Sequence, residues 1–110
     1  MAYGVIDKSL ELQIADIVQR TLDDHYQGAL TFGPIRVQET DDMVTGEWYL
    51  HIYIVVDGDY ELLYHDRWNG LLPRHIEADL KAIGVTQFVN HSFVGKYEWP
   101  WFSKAKGFDC

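Results

Sequence analysis

Cysteine, proline and basic residues are scarce in this sequence. Its 110 residues include 1 Cys, 3 Pro and 9 Lys or Arg. A single cysteine excludes a scaffold held together by internal disulfides. Because 17 Asp or Glu oppose those 9 bases, the formal net charge is −8 at pH 7, and the molecule's field repels nucleic-acid phosphates and anionic lipids. We therefore expect neither a nucleic acid nor a membrane as the partner.

Long apolar segments are also missing. The densest apolar run in a strand-like setting, residues 52–56, is far shorter than the roughly 20 residues that a membrane-spanning helix needs. Residues 1–7 lack the basic region and the apolar core of a secretory signal. We expect a cytoplasmic protein in which Cys110 is a free thiol.

The overall composition is typical of a soluble globular domain. Hydrophobic residues make up 47% and charged residues 24%, which is enough for one core in a chain of this length. We expect a single domain over 1–110. Its last segment, 93–110, is rich in aromatic residues without a helical or strand period. The charge also changes sign there, since 80–110 hold 2 acids and 4 bases.

Two helices are predicted from apolar residues at three- and four-residue spacing. The first covers 8–26, and Asp7 is placed to cap its free backbone amides. Its acidic residues, Glu11 among them, are expected to face away from the apolar stripe. The second helix covers 72–83, with Gly84 as its stop signal.

Three strands are predicted from apolar residues that alternate with polar ones. They cover 29–39, 47–56 and 85–90. The alternation slips at Gly33-Pro34, which predicts a bulge, because proline cannot donate to a sheet ladder. Residues 60–70 fit either a further strand or a helical turn, and the turn is slightly favoured.

These elements predict an α+β fold. We expect a two-layer sandwich in which a small antiparallel sheet of three to four strands carries two main helices on one face, in the order helix-strand-strand-helix-strand. The helices should cover the face of strand 47–56 that includes Trp48 and Ile52.

The opposite face of that strand is the candidate site. It carries Tyr49, His51 and Tyr53, and the aromatic tail is expected to fold across it. No catalytic, cofactor or metal-binding motif is recognisable in the sequence. The two carboxylates of the Asp57-Gly58-Asp59 turn could still bind a divalent cation, and the sequence does not decide this. The candidate ligand or partner surface therefore comprises Tyr49, His51, Tyr53, Asp57, Asp59, His91, Trp99 and Trp101.

Two functions fit this pattern. The first is a small acidic protein-binding regulator or adaptor without enzymatic activity, monomeric or homodimeric, whose charge steers it to a basic partner. The second is a small-ligand-binding protein or enzyme with a pocket lined by His51, Tyr53, Asp57, Asp59 and His91. A cavity where these polar groups converge would favour the second function. A face filled by the tail or by another chain would favour the first.

Overall fold

A computed structural model describes residues 3–4 and 6–108 of the chain, and Cys110 lies outside them. Within these residues helices and strands follow one another in a mixed order, with a 3₁₀ helix at 67–71 between α2 and α3. The elements are β1 (Tyr3–Gly4), α1 (Lys8–Tyr26), β2 (Leu30–Asp41), β3 (Trp48–Gly58), α2 (Glu61–Tyr64), α3 (Leu72–Ala82), β4 (Val89–Gly95) and α4 (Trp99–Ala105).

Helix α1 matches the predicted range and cap. Oδ1 of Asp7 accepts a hydrogen bond from the Ser9 amide at 2.7 Å, which satisfies one of the backbone donors left free at the helix start. Its apolar stripe is buried against the sheet. Glu11 is also buried, contrary to the prediction that it faces away, because it pairs with β2.

The antiparallel hairpin of β2 and β3 forms the centre of the sheet. Its register shifts between Phe32 and Ile35, which confirms the bulge predicted at Gly33-Pro34. Beyond the bulge the paired strands continue to Asp41 and Trp48. The two-residue strand β1 pairs antiparallel with the far end of β2.

The last strand differs from its prediction in both position and direction. It covers 89–95 rather than 85–90, and it runs parallel to β3, with Leu50 beside Val89 and Val56 beside Gly95. A parallel pair requires a long crossover, and residues 59–88 provide it. The sheet is therefore mixed, with strand order β1-β2-β3-β4 among the described residues.

The residues left open between strand and helix belong to that crossover. Residues 61–64 form α2 and 67–71 form the 3₁₀ helix, so the helical interpretation is confirmed. Oδ1 of Asp66 accepts from the Trp68 amide at 2.9 Å and starts the 3₁₀ helix.

The predicted α+β sandwich is confirmed. Helices α1 and α3 cover one face of the sheet, and their apolar side chains form the core with Leu50, Ile52 and Ile54. Ile52 is fully buried, whereas Trp48, at the end of the same row, is 44% exposed. Within residues 3–4 and 6–108, no helix combines the length and the apolar character needed to cross a membrane.

Candidate functional site

The second face of the sheet carries polar side chains from three strands. Gln38 on β2 lies opposite His51 on β3, so the two share this face. Ser92 on β4 lies beside Tyr53 in the parallel register and shares it as well. Nε2 of His51 is 2.7 Å from Oγ of Ser92, and the imidazole stacks on Tyr53 with ring centroids 4.4 Å apart. These contacts fix the His51 ring.

His51 is held in its neutral form. Burial, together with the positive charges of Lys106 and His91, lowers the pKa of His51 to about 4. A neutral imidazole beside a serine hydroxyl is one part of a nucleophilic site. No carboxylate among the described residues hydrogen-bonds to this imidazole. Among the residues that the structure describes, the pair therefore has no carboxylate to orient the imidazole and complete such a site.

The C-terminal aromatic segment covers much of this face. The rings of Phe102 and Phe108 lie 5.2 and 5.7 Å from that of Tyr53. Trp99 is buried in the same cluster, whereas Trp101 is 81% exposed. Of the two tryptophans expected to fold back, only Trp99 does so. The cluster consists of Tyr53, Val55, Val94 and Trp99, with Phe102 and Phe108 packed against it.

Two contacts from β2 hold this segment in place. Nε2 of Gln38 donates to the backbone carbonyl of Lys106. The guanidinium of Arg36 lies 4.5 Å from the centre of the Phe108 ring, in reach of a cation–π interaction. The segment is thus integrated into the fold.

His91 lies on the opposite face of the sheet from His51. It shares the register position of Ile52, which is in the core beneath α1 and α3. Its Nε2 is 2.8 Å from the carbonyl oxygen of Asn69. Burial lowers the pKa of His91. The two histidines therefore do not line one pocket.

The two aspartates of the predicted turn, Asp57 and Asp59, also contact different parts of the structure. Asp57 lies 3.5 Å from Nζ of Lys96, on the side of the second face. Asp59 accepts a hydrogen bond from the Glu61 amide at 3.0 Å, just before α2. No group of three or more potential metal ligands occurs in the part of the chain that the structure describes.

An acidic, partly apolar surface surrounds the turn between β2 and β3. It forms a depression of about 500 Å³ whose wall includes two acids and three aromatic residues. Trp48 is 44% and Phe88 73% exposed, and Phe88 contacts Tyr49 with ring centroids 6.2 Å apart. We call this surface the turn patch, and it consists of Asp42, Glu47, Trp48, Tyr49 and Phe88.

Hydrogen bonds close the β2–β3 turn, which carries the two acids of the turn patch, Asp42 and Glu47. The Asp42 amide donates to the Glu47 carbonyl at 2.8 Å, and the Gly46 amide donates to the Asp42 carbonyl at 2.7 Å. Oδ1 of Asp42 accepts from the Val44 amide at 2.9 Å. Of the five residues of the turn patch, only Tyr49 belongs to the candidate surface that the sequence predicts.

A second cavity, of about 350 Å³, lies between α2 and the turn that follows β4. It opens where the parallel strands β3 and β4 both end, a common position for ligand sites in open sheets. It was not predicted from the sequence, because Tyr97 lies 33 positions after Tyr64 and no local pattern joins it to Tyr60 and Tyr64. We call it the tyrosine pocket; its walls are Val56, Tyr60, Leu63, Tyr64, Asn69, Phe93, Gly95, Tyr97 and Glu98.

Compared with protein-family models, curated proteins and solved structures, the chain has no significant match. Its function is therefore inferred from its own surfaces.

Proposed function

We propose that this chain is a small cytoplasmic protein-binding module without enzymatic activity, and that the turn patch contacts a basic partner protein. The observation that carries the proposal is the exposure of Trp48 and Phe88 beside the carboxylates of Asp42 and Glu47. Exposed aromatic residues that share a surface depression are typical of the centre of a protein interface.

The charge around the patch supports a basic partner. Residues 37–66, which contain the β2–β3 turn, have eight Asp or Glu and no Lys or Arg. An acidic rim accelerates association with a positively charged surface and disfavours acidic competitors. It also disfavours a second copy of this chain, because both copies would bring carboxylates to the same contact.

The alternative, a ligand or catalytic pocket on the second face of the sheet, has less support. Trp99, Phe102 and Phe108 fill part of that face. The five residues expected to line a pocket there do not converge, since His91 points to the opposite face and Asp59 binds the start of α2. This arrangement favours the binding function.

The test compares the full chain with matched surface variants. Immobilised wild-type protein and the variant Phe88→Ser are exposed to extract of the source cells, and retained proteins are purified and titrated individually. We expect a partner with net positive charge that binds wild type, loses most of its affinity for Phe88→Ser, and binds more weakly as salt rises.

Leu12→Ser is the matched control, because Leu12 is 59% exposed on α1 and lies outside the turn patch. It should bind like wild type. If wild type and Phe88→Ser retain the same partner with equal affinity, the turn patch is not the interface. Sedimentation of the chain alone detects a homodimer, which would contradict the charge argument against a second copy.

A further inference from the structure

The tyrosine pocket has the size of a site for one small chemical group. Its volume of about 350 Å³ is at the lower end of the range of ligand pockets. It lies outside the turn patch and shares no residue with it. The tyrosine pocket and the turn patch are therefore separate sites, and each can have its own ligand.

Four of the nine residues that line the pocket are aromatic. Tyr60, Tyr64, Tyr97 and Phe93 line it, and no Lys, Arg or His is among its lining residues. The faces of aromatic rings carry partial negative charge and attract cations, above all alkylated ammonium groups that shed water easily. The lining residues include no positively charged side chain that could pair with an anion.

The pocket also has one acidic residue, Glu98, in its wall. Glu98 lines it and makes no ion pair with any residue that the structure describes. Lys96, two positions earlier in the chain, has its ammonium 3.5 Å from Asp57 instead. A cation in the pocket would therefore meet several aromatic residues, and also a carboxylate that forms no ion pair within the described part of the chain.

Contacts among neighbouring residues order the walls of the pocket. Nδ2 of Asn69 donates to the Leu63 carbonyl at 2.7 Å and to the Tyr26 hydroxyl at 3.1 Å, which fixes the end of α2. At Gly95 a Cβ atom would lie 3.2 Å from the Tyr60 hydroxyl, so a larger residue there would push this hydroxyl away by a few tenths of an ångström. A preformed pocket loses little entropy when a ligand enters.

From these observations we propose that the tyrosine pocket binds an alkylated ammonium group. The group is either that of a free choline-like molecule or that of a methylated lysine side chain on a protein. Both sources present the same cation to the same rings and to Glu98.

The test is a titration of the ¹⁵N-labelled full chain, followed through the amide resonances of Gly95 and Asn69. Choline is the cationic probe, and 3,3-dimethylbutan-1-ol is its neutral counterpart of the same shape. We expect saturable shifts with choline and at least about tenfold weaker binding of the neutral probe. Equal binding of the two probes, or no saturable shift with choline, would overturn the proposal.

Surface variants locate the site. Tyr64→Leu should weaken choline binding about five- to tenfold, and Glu98→Gln should weaken it a few-fold. Trp101→Leu is the matched control, because Trp101 is 81% and Tyr64 83% exposed but only Tyr64 lines the pocket. If Tyr64→Leu binds choline as well as Trp101→Leu does, the cation binds elsewhere and the proposal fails.

A last comparison assigns the source and separates this site from the turn patch. Tighter binding of a trimethyllysine peptide than of choline would support a protein ligand, and the reverse order would support a free cation. Phe88→Ser, which tests the proposed partner surface, should leave choline binding unchanged. The two proposals can thus fail independently.

Discussion

Glu11 on α1 and Arg36 on β2 form a largely buried ion pair, with Nε of the arginine 2.9 Å from Oε2 of the glutamate. The same oxygen accepts a hydrogen bond from the Val37 amide at 2.9 Å. Glu11 is only 6% exposed. One carboxylate therefore joins the first helix to the sheet through two charge-assisted hydrogen bonds.

Removing that carboxylate should destabilise the fold. In Glu11→Ala, the Val37 amide loses its acceptor and Arg36 loses the Glu11 carboxylate in a partly desolvated position. We expect the free energy of unfolding, measured in urea, to fall by about 3–5 kcal/mol. Glu77→Ala is the control, because Glu77 forms an exposed pair with Lys81 at 3.4 Å and should cost less than about 1 kcal/mol. Equal losses would show that the buried pair contributes no more than a surface pair.

The low pKa of His51 makes stability depend on pH. Its pKa is about 4 in the folded chain, and that of an unfolded histidine is roughly 6.5. As pH falls from 6.5 to 4, the unfolded state takes up the proton and the folded state does not. The free energy of unfolding should therefore decrease over this window, by up to about 3 kcal/mol, and the contribution should level off below pH 4.

In the variant His51→Gln, the free energy of unfolding should depend much less steeply on pH between 4 and 6.5. Urea unfolding at several pH values between 4 and 7 measures it. His91 contributes in the same direction, because burial lowers its pKa as well, so some slope should remain. His65→Gln, at an exposed position, serves as the control. If the stability of His51→Gln depends on pH as steeply as that of wild type, the lowered pKa of His51 is not the cause of the pH dependence.

The two tryptophans of the last helix should differ sharply in their effect on stability. Trp99 is 6% exposed and Trp101 81% exposed. Truncation of Trp99 to alanine leaves a cavity against Tyr53 and Val94 and should cost about 3–5 kcal/mol, whereas Trp101→Ala should change stability by less than about 0.5 kcal/mol. Thermal and urea unfolding compare the two. Similar losses would mean that α4 is not packed on the sheet as described.

Local signals in the sequence were sufficient for the elements whose partners are close in the chain. The apolar period of α1, the cap at Asp7 and the phase slip at Gly33-Pro34 each depend on neighbouring residues, and each was predicted correctly. Helix α4 was missed because seven residues are too few to show a helical stripe. Pro100, in its first turn, was the one local indication of a helix start.

Long-range relationships could not be predicted. The parallel direction of β4 depends on the crossover through 59–88, and no residue of the strand itself encodes it. Glu11 looked like a surface residue because periodicity does not identify its partner on β2. The tyrosine pocket forms only where two parallel strands end together, so Tyr60 and Tyr97 gave no joint signal. His51 was placed on the correct face, but its serine partner was not foreseen.

The position of β4 late in the chain has a consequence during protein synthesis. Residues 52–56 of β3 are all buried in the finished molecule. A ribosome makes them before α3, β4 and α4 exist, so the growing chain presents an apolar strand with one bare edge and two faces that are not yet fully covered. Such a strand readily pairs with other chains. Until β4 and α4 have emerged, we therefore expect the nascent chain to aggregate more readily than the folded molecule.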